Sequence, residues 1–298
     1  MAAGAGARAG AFRLRADGVL VGLLALGTLL LPSANAYAAD PDTSRAQRQV
    51  ERRAAQLTEA ADSIDAGSAT VDRLKRRGPA STPVDQLRHD LQLEQAEFAY
   101  RQAVRTEQIL VYDLATHPEL EAAELSLLPP QRAAALSHVT GALHALWRHA
   151  GIDDYTTVRP RHSRRFAASA PVDALLGYYR AAAAQTSVDW SYLAAINFIE
   201  SDFGRDNGPS SAGALGPMQF LPSTWNQYGK GGDIMGPRDS IQAAARFLVA
   251  NGAPADYDRA ILHYNRDLDY VEAVKSYAAA LREDPAWVRR LHVWSTFG

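Results

Sequence analysis

The feature that most constrains the fold is a seven-residue repeat of apolar side chains in the first patterned part of the chain. The repeat consists of Val50, Leu57, Ile64 and Val71, with Ala54 and Ala61 between them. On an α-helix, this spacing produces a narrow apolar seam of the coiled-coil kind. The repeat therefore predicts a long helix.

A break rich in glycine and proline at residues 78–83 separates this helix from a second one, predicted from about Val84 to Ala115. One face of the second helix carries Val84, Leu87, Leu91 and Phe98. Two long amphipathic helices with a short break between them indicate an antiparallel hairpin. We assign residues 39–117 to a helical hairpin or coiled coil. We expect it to act as a spacer, or in self-association or contact with a partner protein, and it contains no candidate for chemistry.

Residues 1–38 have the composition of an export signal. Arg8, Arg13 and Arg15 precede an apolar run from Val19 to Leu31, and small-residue cleavage patterns follow at 34–38. Signal peptidase recognises this order, and the run is shorter than the ~20 residues that span a bilayer. We expect a cleaved signal, a secreted extracytoplasmic protein and no stable membrane span after cleavage. The alternative is a retained N-terminal anchor.

The composition excludes several kinds of site. The chain has no cysteine, which removes disulfides, thiol nucleophiles and Cys-based zinc sites. Its formal net charge of -2 provides no basic field for nucleic acid. His138, His144 and His149 are spaced by six and five residues, unlike the four-residue spacing of zinc-binding histidine pairs. We interpret them as surface or packing residues and predict no metal and no cofactor.

Residues 118–170 form a predicted helical connector followed by a basic linker. Pro118 interrupts the hairpin pattern, and a helix is predicted from Pro129–Pro130 to about Ala150. The linker contains Arg159, Arg161, Arg164 and Arg165. Short charge runs are usually solvated, and we favour that interpretation over contact with an anionic polymer.

From Pro171 onward, the sequence predicts a mainly helical domain with functional loops, over residues 171–283, and a helical tail over 284–298. Helices are predicted at about 172–184, 190–200, 238–250, 256–263 and 269–282, and long loops at about 204–217 and 226–237. The region has no alternating strand pattern, no nucleotide-binding glycine motif and no G-x-S-x-G motif.

Glu200 is the main candidate for chemistry. Asp189 is placed to cap the helix that contains Glu200, and Leu193, Ile196 and Asn197 share a face with Glu200. A carboxyl on an apolar face is desolvated, and the C-terminal end of a helix is negative, so both effects raise its pKa. Glu200 is therefore a candidate proton donor near neutral pH.

The loop after Glu200 has the composition of a ligand site. Gly213 and Gly216 permit close approach of the backbone to a ligand or another segment. Gln219 can both donate and accept hydrogen bonds, as a sugar requires. Phe220, Trp225 and Tyr228 could stack on sugar rings, although we expect most of them in the core.

Four ordered motifs give the region a family resemblance. They are E-S-x-F-G at 200–204, S-x-A-G-A-x-G-x-M-Q at 210–219, F-L-P-S-T-W at 220–225, and Y-N followed by Y-V-x-x-V at 264–274. With these motifs, the region resembles the catalytic domain of the lytic transglycosylases. The resemblance implies a lysozyme-like helical fold and peptidoglycan glycan strands as substrate.

The resemblance also implies roles for individual residues. Glu200 would be the acid that cleaves the bond between N-acetylmuramic acid and N-acetylglucosamine, with a 1,6-anhydro product. Ser210 would hydrogen-bond to the acid, and Gln219 would contact substrate. Tyr264 would orient the acid or stabilise the transition state. Met218 and Asn265 would line or shape the groove.

The resemblance accounts for the lack of a second carboxylate in a motif position, since the substrate's own C6 hydroxyl is the nucleophile. Two other functions stay open. A hydrolytic muramidase on the same fold would use Asp202, Asp206 or Asp233 to activate water. A non-catalytic protein would use the domain to bind peptidoglycan or to act as a scaffold.

One position departs from the family pattern. Gly236 stands where many relatives have the middle Asp of a D-I-x-D-P-x-D stretch. We expect Gly236 still to serve as N-cap, with Pro237 at the first helical position and Asp239 in the first turn.

Overall fold

A computed structural model describes residues 43–78, 80–158 and 167–294 of the protein. Over these residues, the fold is helical, and its only β feature is an isolated bridge between Leu215 and Phe220. The helices are α1 (Thr43–Lys75), α2 (Pro83–Ala115), α3 (Pro118–Leu125), α4 (Pro130–His149), α5 (Val172–Thr186), α6 (Trp190–Ser201), α7 (Pro222–Tyr228), α8 (Pro237–Ala250), α9 (Tyr257–Tyr264), α10 (Leu268–Glu283) and α11 (Trp287–Trp294). The predicted export signal and the four linker arginines lie outside the described residues.

The first two helices form an antiparallel hairpin. Two ion pairs link them, between Arg53 and Asp113 and, at 2.9 Å, between Lys75 and Glu97. Thr82 caps α2 by accepting a hydrogen bond from the Asp85 amide at 3.1 Å. The predicted seam of α1 is buried at Ala54, Leu57, Ala61, Ile64 and Val71. The hairpin prediction is therefore confirmed for the described residues.

The predicted apolar face of α2 does not pack inside the hairpin. Val84, Leu87, Leu91 and Phe98 are 65%, 62%, 50% and 58% exposed. The side of α2 that contacts α1 includes Tyr100, whose Cα approaches Gly67 of α1 closely. Gly67 lacks a side chain, so the ring of Tyr100 covers the seam there. Contacts with α1, such as that between Gly67 and Tyr100, therefore determine which face of α2 is buried. The number of apolar residues on a face of α2 does not.

Helix α10 lies at the centre of the remaining helices. It packs against α4 on one side and against α6 on the other. Arg148 of α4 forms ion pairs of 2.8 Å with Asp269 and Glu272 of α10. One continuous apolar core extends from Ala54 in the hairpin to Trp294.

The C-terminal segment is part of this core. Trp287, Leu291 and Trp294 of α11 are at most 1% exposed. Arg290 of α11 forms an ion pair of 2.8 Å with Glu107 of α2, and both residues are buried. The segment predicted as a helical tail is helical, but it packs as a core element against the hairpin.

The helix predictions over 171–283 agree with the structure to within two residues at each end. Helix α7 has no counterpart among the predicted helices. It begins with Pro222, which favours a first turn, but its seven residues provide too short a periodic pattern to detect. None of the helices in the described ranges is long and apolar enough to span a membrane.

Candidate active site

Glu200 lies in the last turn of α6, on a helix buried along almost its whole length. Asp189 caps the other end, accepting a hydrogen bond from the Ser191 amide at 2.9 Å. Leu193 and Ile196 are fully buried, as their shared face with Glu200 predicts. Directly after Glu200 and Ser201, the chain turns sharply at Asp202, which has a left-handed backbone with φ 56°. Glu200 therefore stands at the point where a rigid helix meets a loop.

The surroundings of Glu200 favour a protonated carboxyl. Burial raises its pKa from the ordinary 4.5 to about 7, and the hydrogen bond from Tyr270 opposes this rise. At neutral pH, the group is then divided between acid and carboxylate. A general acid that must also act as a base works best with such a pKa.

The sequence motifs include Tyr270 but give it no role, and the structure places it beside Glu200. Its hydroxyl donates a hydrogen bond of 2.6 Å to Oε1 of Glu200. The residue is fully buried in the first turn of α10, where Asp267 caps the helix. The Y-V-x-x-V motif contained the signal, but its spacing alone did not show which tyrosine reaches the acid.

Tyr264 lies close to the acid but donates its hydrogen bond elsewhere. Its hydroxyl donates to the Met218 carbonyl at 2.6 Å. Burial raises the pKa of Tyr264 well above 10, and the charge of Glu200 adds to the rise. Tyr264 therefore fixes the loop beside the acid, while the hydrogen bond to the acid itself comes from Tyr270.

The acid helix is joined to the loop by two polar side chains. Asn197 donates from Nδ2 to the Pro217 carbonyl at 2.8 Å, and Ser201 donates to the same carbonyl at 2.5 Å. The hydroxyl of Tyr179 donates to Oδ1 of Asn197 at 2.5 Å. Asn197 is fully buried, so these bonds hold the loop firmly against α6. The amide on the apolar face of α6 was the sequence signal for this contact.

The predicted close approach of a glycine occurs at Gly216. A Cβ atom there would lie 2.0 Å from the carbonyl oxygen of Ile234, and the backbone has φ 77°. The two long loops can pack together only because residue 216 has no side chain. Gly213 has open space around it.

Gln219 lies in the same turn with a left-handed backbone, φ 47°. It is 6% exposed, and Nε2 donates to the carbonyls of Gly208 at 3.2 Å and Gly216 at 3.0 Å. A positive φ in a residue other than glycine costs about 1 kcal/mol or more and persists where the surroundings enforce it. The strain marks this turn as a functional candidate.

Ser210 differs from the expectation that it hydrogen-bonds to the acid. Its hydroxyl accepts from the amides of Ala212 at 3.2 Å and Ala214 at 3.0 Å. Serine side chains readily bond to nearby backbone amides in turns, and here that local bonding prevails. Ser210 closes the loop and does not bond to Glu200 in the described structure.

The other predicted groove residues are mostly covered. Met218 is fully buried, and its carbonyl accepts the hydrogen bond from Tyr264. Asn265 is 2% exposed, and its Nδ2 has no hydrogen-bond partner among the described residues. Phe220 is buried and packs edge-on to Trp225 with ring centroids 5.7 Å apart. The aromatic residues after the loop therefore serve the core, as expected for most of them.

Two of the acidic residues considered as a second carboxylate, Asp202 and Asp233, have structural roles near the loops. Asp233 accepts a hydrogen bond from the Met235 amide at 2.9 Å, and Asp239 accepts one from the Asp233 amide at 3.0 Å. Asp202 ends α6 as its C-cap. Gly236 and Pro237 begin α8 as expected, with Asp239 in its first turn.

Residues 177–290 match the family model described as the transglycosylase SLT domain. The chain contains an SLT domain. The match confirms the resemblance drawn from the motifs, and with it the lysozyme-like all-helical fold of the SLT region. No curated protein and no solved structure matches the chain.

The SLT match gives the region a general activity. SLT domains belong to lytic transglycosylases, which cleave the glycan strands of peptidoglycan in the periplasm or cell wall. The SLT region begins within α5, so the hairpin, α3 and α4 lie outside it. The helix that packs most extensively against α10 is therefore not part of the family region.

Proposed function

We propose that the SLT region cleaves the β-1,4 bond between N-acetylmuramic acid and N-acetylglucosamine, with Glu200 as acid and base. The observation that carries this proposal is the position of Glu200. It lies at the end of a buried helix, its carboxyl has a pKa raised to about 7, and Tyr270 donates a hydrogen bond to it.

In the first step, protonated Glu200 donates its proton to the glycosidic oxygen. The bond from C1 of the muramic acid to that oxygen breaks, and N-acetylglucosamine leaves with a free 4-hydroxyl. The substrate's 2-acetamido group stabilises the positive charge at C1. Tyr270 stabilises the Glu200 carboxylate that results, since a hydrogen bond to a charged acceptor strengthens as charge develops.

In the second step, the Glu200 carboxylate takes the proton from the C6 hydroxyl of the same muramic acid. The oxygen forms a bond to C1 and closes the 1,6-anhydro ring, so the acid is regenerated and no water is consumed. This route needs only one enzyme carboxylate. The pKa of Glu200 is set by burial and by Tyr270, without a contribution from a neighbouring carboxylate among the described residues.

We propose that substrate contacts come from the loop after Glu200 and from the residue that ends α9. Gln219, on its strained turn, and Asn265, with its unpaired amide nitrogen, are the groups we propose to contact or shape the sugar site. Met218 supports Tyr264 through its carbonyl. Export is proposed from residues 1–38, with action at the cell wall.

The test is product analysis of digested peptidoglycan by mass spectrometry, with the Glu200→Gln variant beside the wild type. Anhydro-ended muropeptides from the wild type and none from the variant are expected. Products with only reducing ends would replace the proposal with a hydrolytic muramidase. Binding without cleavage by both proteins would indicate a peptidoglycan-binding scaffold.

A further inference from the structure

Helix α4 ends against the first turn of α10, the turn that contains Tyr270. Nδ1 of His149 lies 2.8 Å from Oδ2 of Asp267, and the His149 side chain is 12% exposed. The rings of His149 and Tyr270 meet edge to face, with centroids 6.2 Å apart. The last residue of α4 therefore contacts both the cap of α10 and the tyrosine that bonds to the acid.

Asp267 transmits this contact to the helix. Its Oδ1 accepts hydrogen bonds from the amides of Asp269 at 2.8 Å and Tyr270 at 3.3 Å. Burial alone would raise the pKa of Asp267, but His149 and the two amides outweigh burial and hold the pKa below its ordinary value. The carboxylate is thus a charged cap held between α4 and α10.

Arg148, the neighbour of His149, adds two ion pairs to the same part of α10, with Asp269 and Glu272. The start of α10, from its N-cap into its second turn, is therefore in contact with α4 at three positions. From the first turn, the Tyr270 hydroxyl reaches Glu200 at 2.6 Å.

We propose that His149 is a positioning residue for the acid: through Asp267 and the Tyr270 ring, it holds the Tyr270 hydroxyl on Glu200. The SLT match does not include α4. This inference rests on the proposed function of Glu200, and it assigns to a helix outside the family region a part in the geometry of the active site.

The test measures the pKa of Glu200, which depends on the titratable groups that face its carboxyl. They are Tyr270 from α10 and Tyr264 from α9, and burial raises the pKa of both well above 10, so both are neutral. Loss of the Tyr270 hydrogen bond leaves burial unopposed and raises the pKa of Glu200. The alkaline limb of the rate profile, where the acid loses its proton, then moves to higher pH.

The experiment compares His149→Ala, His149→Asn and Tyr270→Phe in the full chain. We expect His149→Ala to lower kcat about 10-fold with KM little changed, within the loss known for small displacements of catalytic groups. Its alkaline limb moves upward, as in Tyr270→Phe but by less. His149→Asn, which can place an amide N–H beside Asp267, restores most of the rate. His138→Ala on the same helix is the matched control and leaves the limb in place.

The double variant His149→Ala with Tyr270→Phe separates positioning from a direct charge effect. If His149 acts through Tyr270, its removal changes nothing further once the hydroxyl is gone. An undiminished second shift in the double variant overturns the proposal. So does a His149→Ala protein that loses thermal stability while its alkaline limb stays at the wild-type pH.

Infrared spectroscopy can test the positioning role of His149 independently of the proposed glycan cleavage. The carbonyl band of protonated Glu200, assigned by its loss in Glu200→Gln, reports the pKa without substrate. If the wild type yields no anhydro products but the band titrates higher in His149→Ala, the proposed function fails and the positioning role stands. A band unchanged in His149→Ala overturns the positioning role, whether or not the enzyme is active.

Discussion

Glu200 at the end of α6 and Glu107 in the C-terminal third of α2 both have a pKa raised to about 7 by burial, but their surroundings differ. Glu200 is bonded to the neutral hydroxyl of Tyr270 and keeps part of its surface open. Glu107 is 2% exposed and is paired with the guanidinium of Arg290. A raised pKa alone therefore does not identify a catalytic acid. Access and a neutral donor distinguish the site from the junction between hairpin and core.

The largest expected difference between the two glutamates is in activity. Glu200→Gln removes the proposed proton donor and should lower the rate of glycan cleavage about 10²–10⁴-fold. Glu107 lies away from the site, and glutamine has nearly the same size and shape as glutamate. Glu107→Gln should therefore leave the rate within about 2-fold. A peptidoglycan turbidity assay measures both. Equal losses in the two variants would mean that the junction controls the site.

Removing the partner of each carboxyl should affect the rate–pH profile differently at the two sites. Tyr270→Phe removes a hydrogen bond of about 1.5 kcal/mol to a charged acceptor, so the alkaline limb should move upward by about 1 pH unit. Arg290→Met removes the partner of Glu107 and should leave that limb where it is. The rate–pH profiles of both variants test this. A limb that stays in place in Tyr270→Phe would remove Tyr270 from the mechanism.

Glu200 and Glu107 should both make the stability of the protein depend on pH in the same direction. A carboxyl whose pKa is raised from 4.5 to about 7 binds more protons in the folded state than in the unfolded state. The free energy of unfolding therefore falls as pH rises from about 4.5 to about 7 and then levels off. Urea unfolding at pH 5 and pH 8 measures the fall. Each Gln variant should have a smaller fall than the wild type, and unchanged curves would contradict the burial of that carboxyl.

The smallest effect is expected on the outer face of the hairpin. Leu87→Ala removes a leucine that is 62% exposed and should change stability by no more than about 0.5 kcal/mol. Leu57→Ala is the matched substitution in the buried seam and should cost about 2–5 kcal/mol. Thermal unfolding compares them. A large loss at Leu87 would show that this face is covered in solution.

Local residue patterns predicted the helices more accurately than they predicted the contacts between helices. The α1 seam, the Asp189 cap and the buried end of α6 follow from local spacing, and the structure confirms them. The exposed face of α2 could not be predicted, because which side is buried depends on Gly67 and Tyr100 across the hairpin. The hydrogen bond from Tyr270 to Glu200 depends on how α4 holds α10. His149 and Asp267, which form this contact, lie more than a hundred residues apart in the sequence, so no local pattern contains it.

The packing of α4 on α10 has a consequence for how the protein can be divided. A fragment limited to the family region, 177–290, would lose α4 and leave the apolar side of α10 open to water. Asp269 and Glu272 would lose their partner Arg148, and Asp267 would lose its contact with His149. We therefore expect the smallest unit that folds by itself to be larger than the matched region and to include α4.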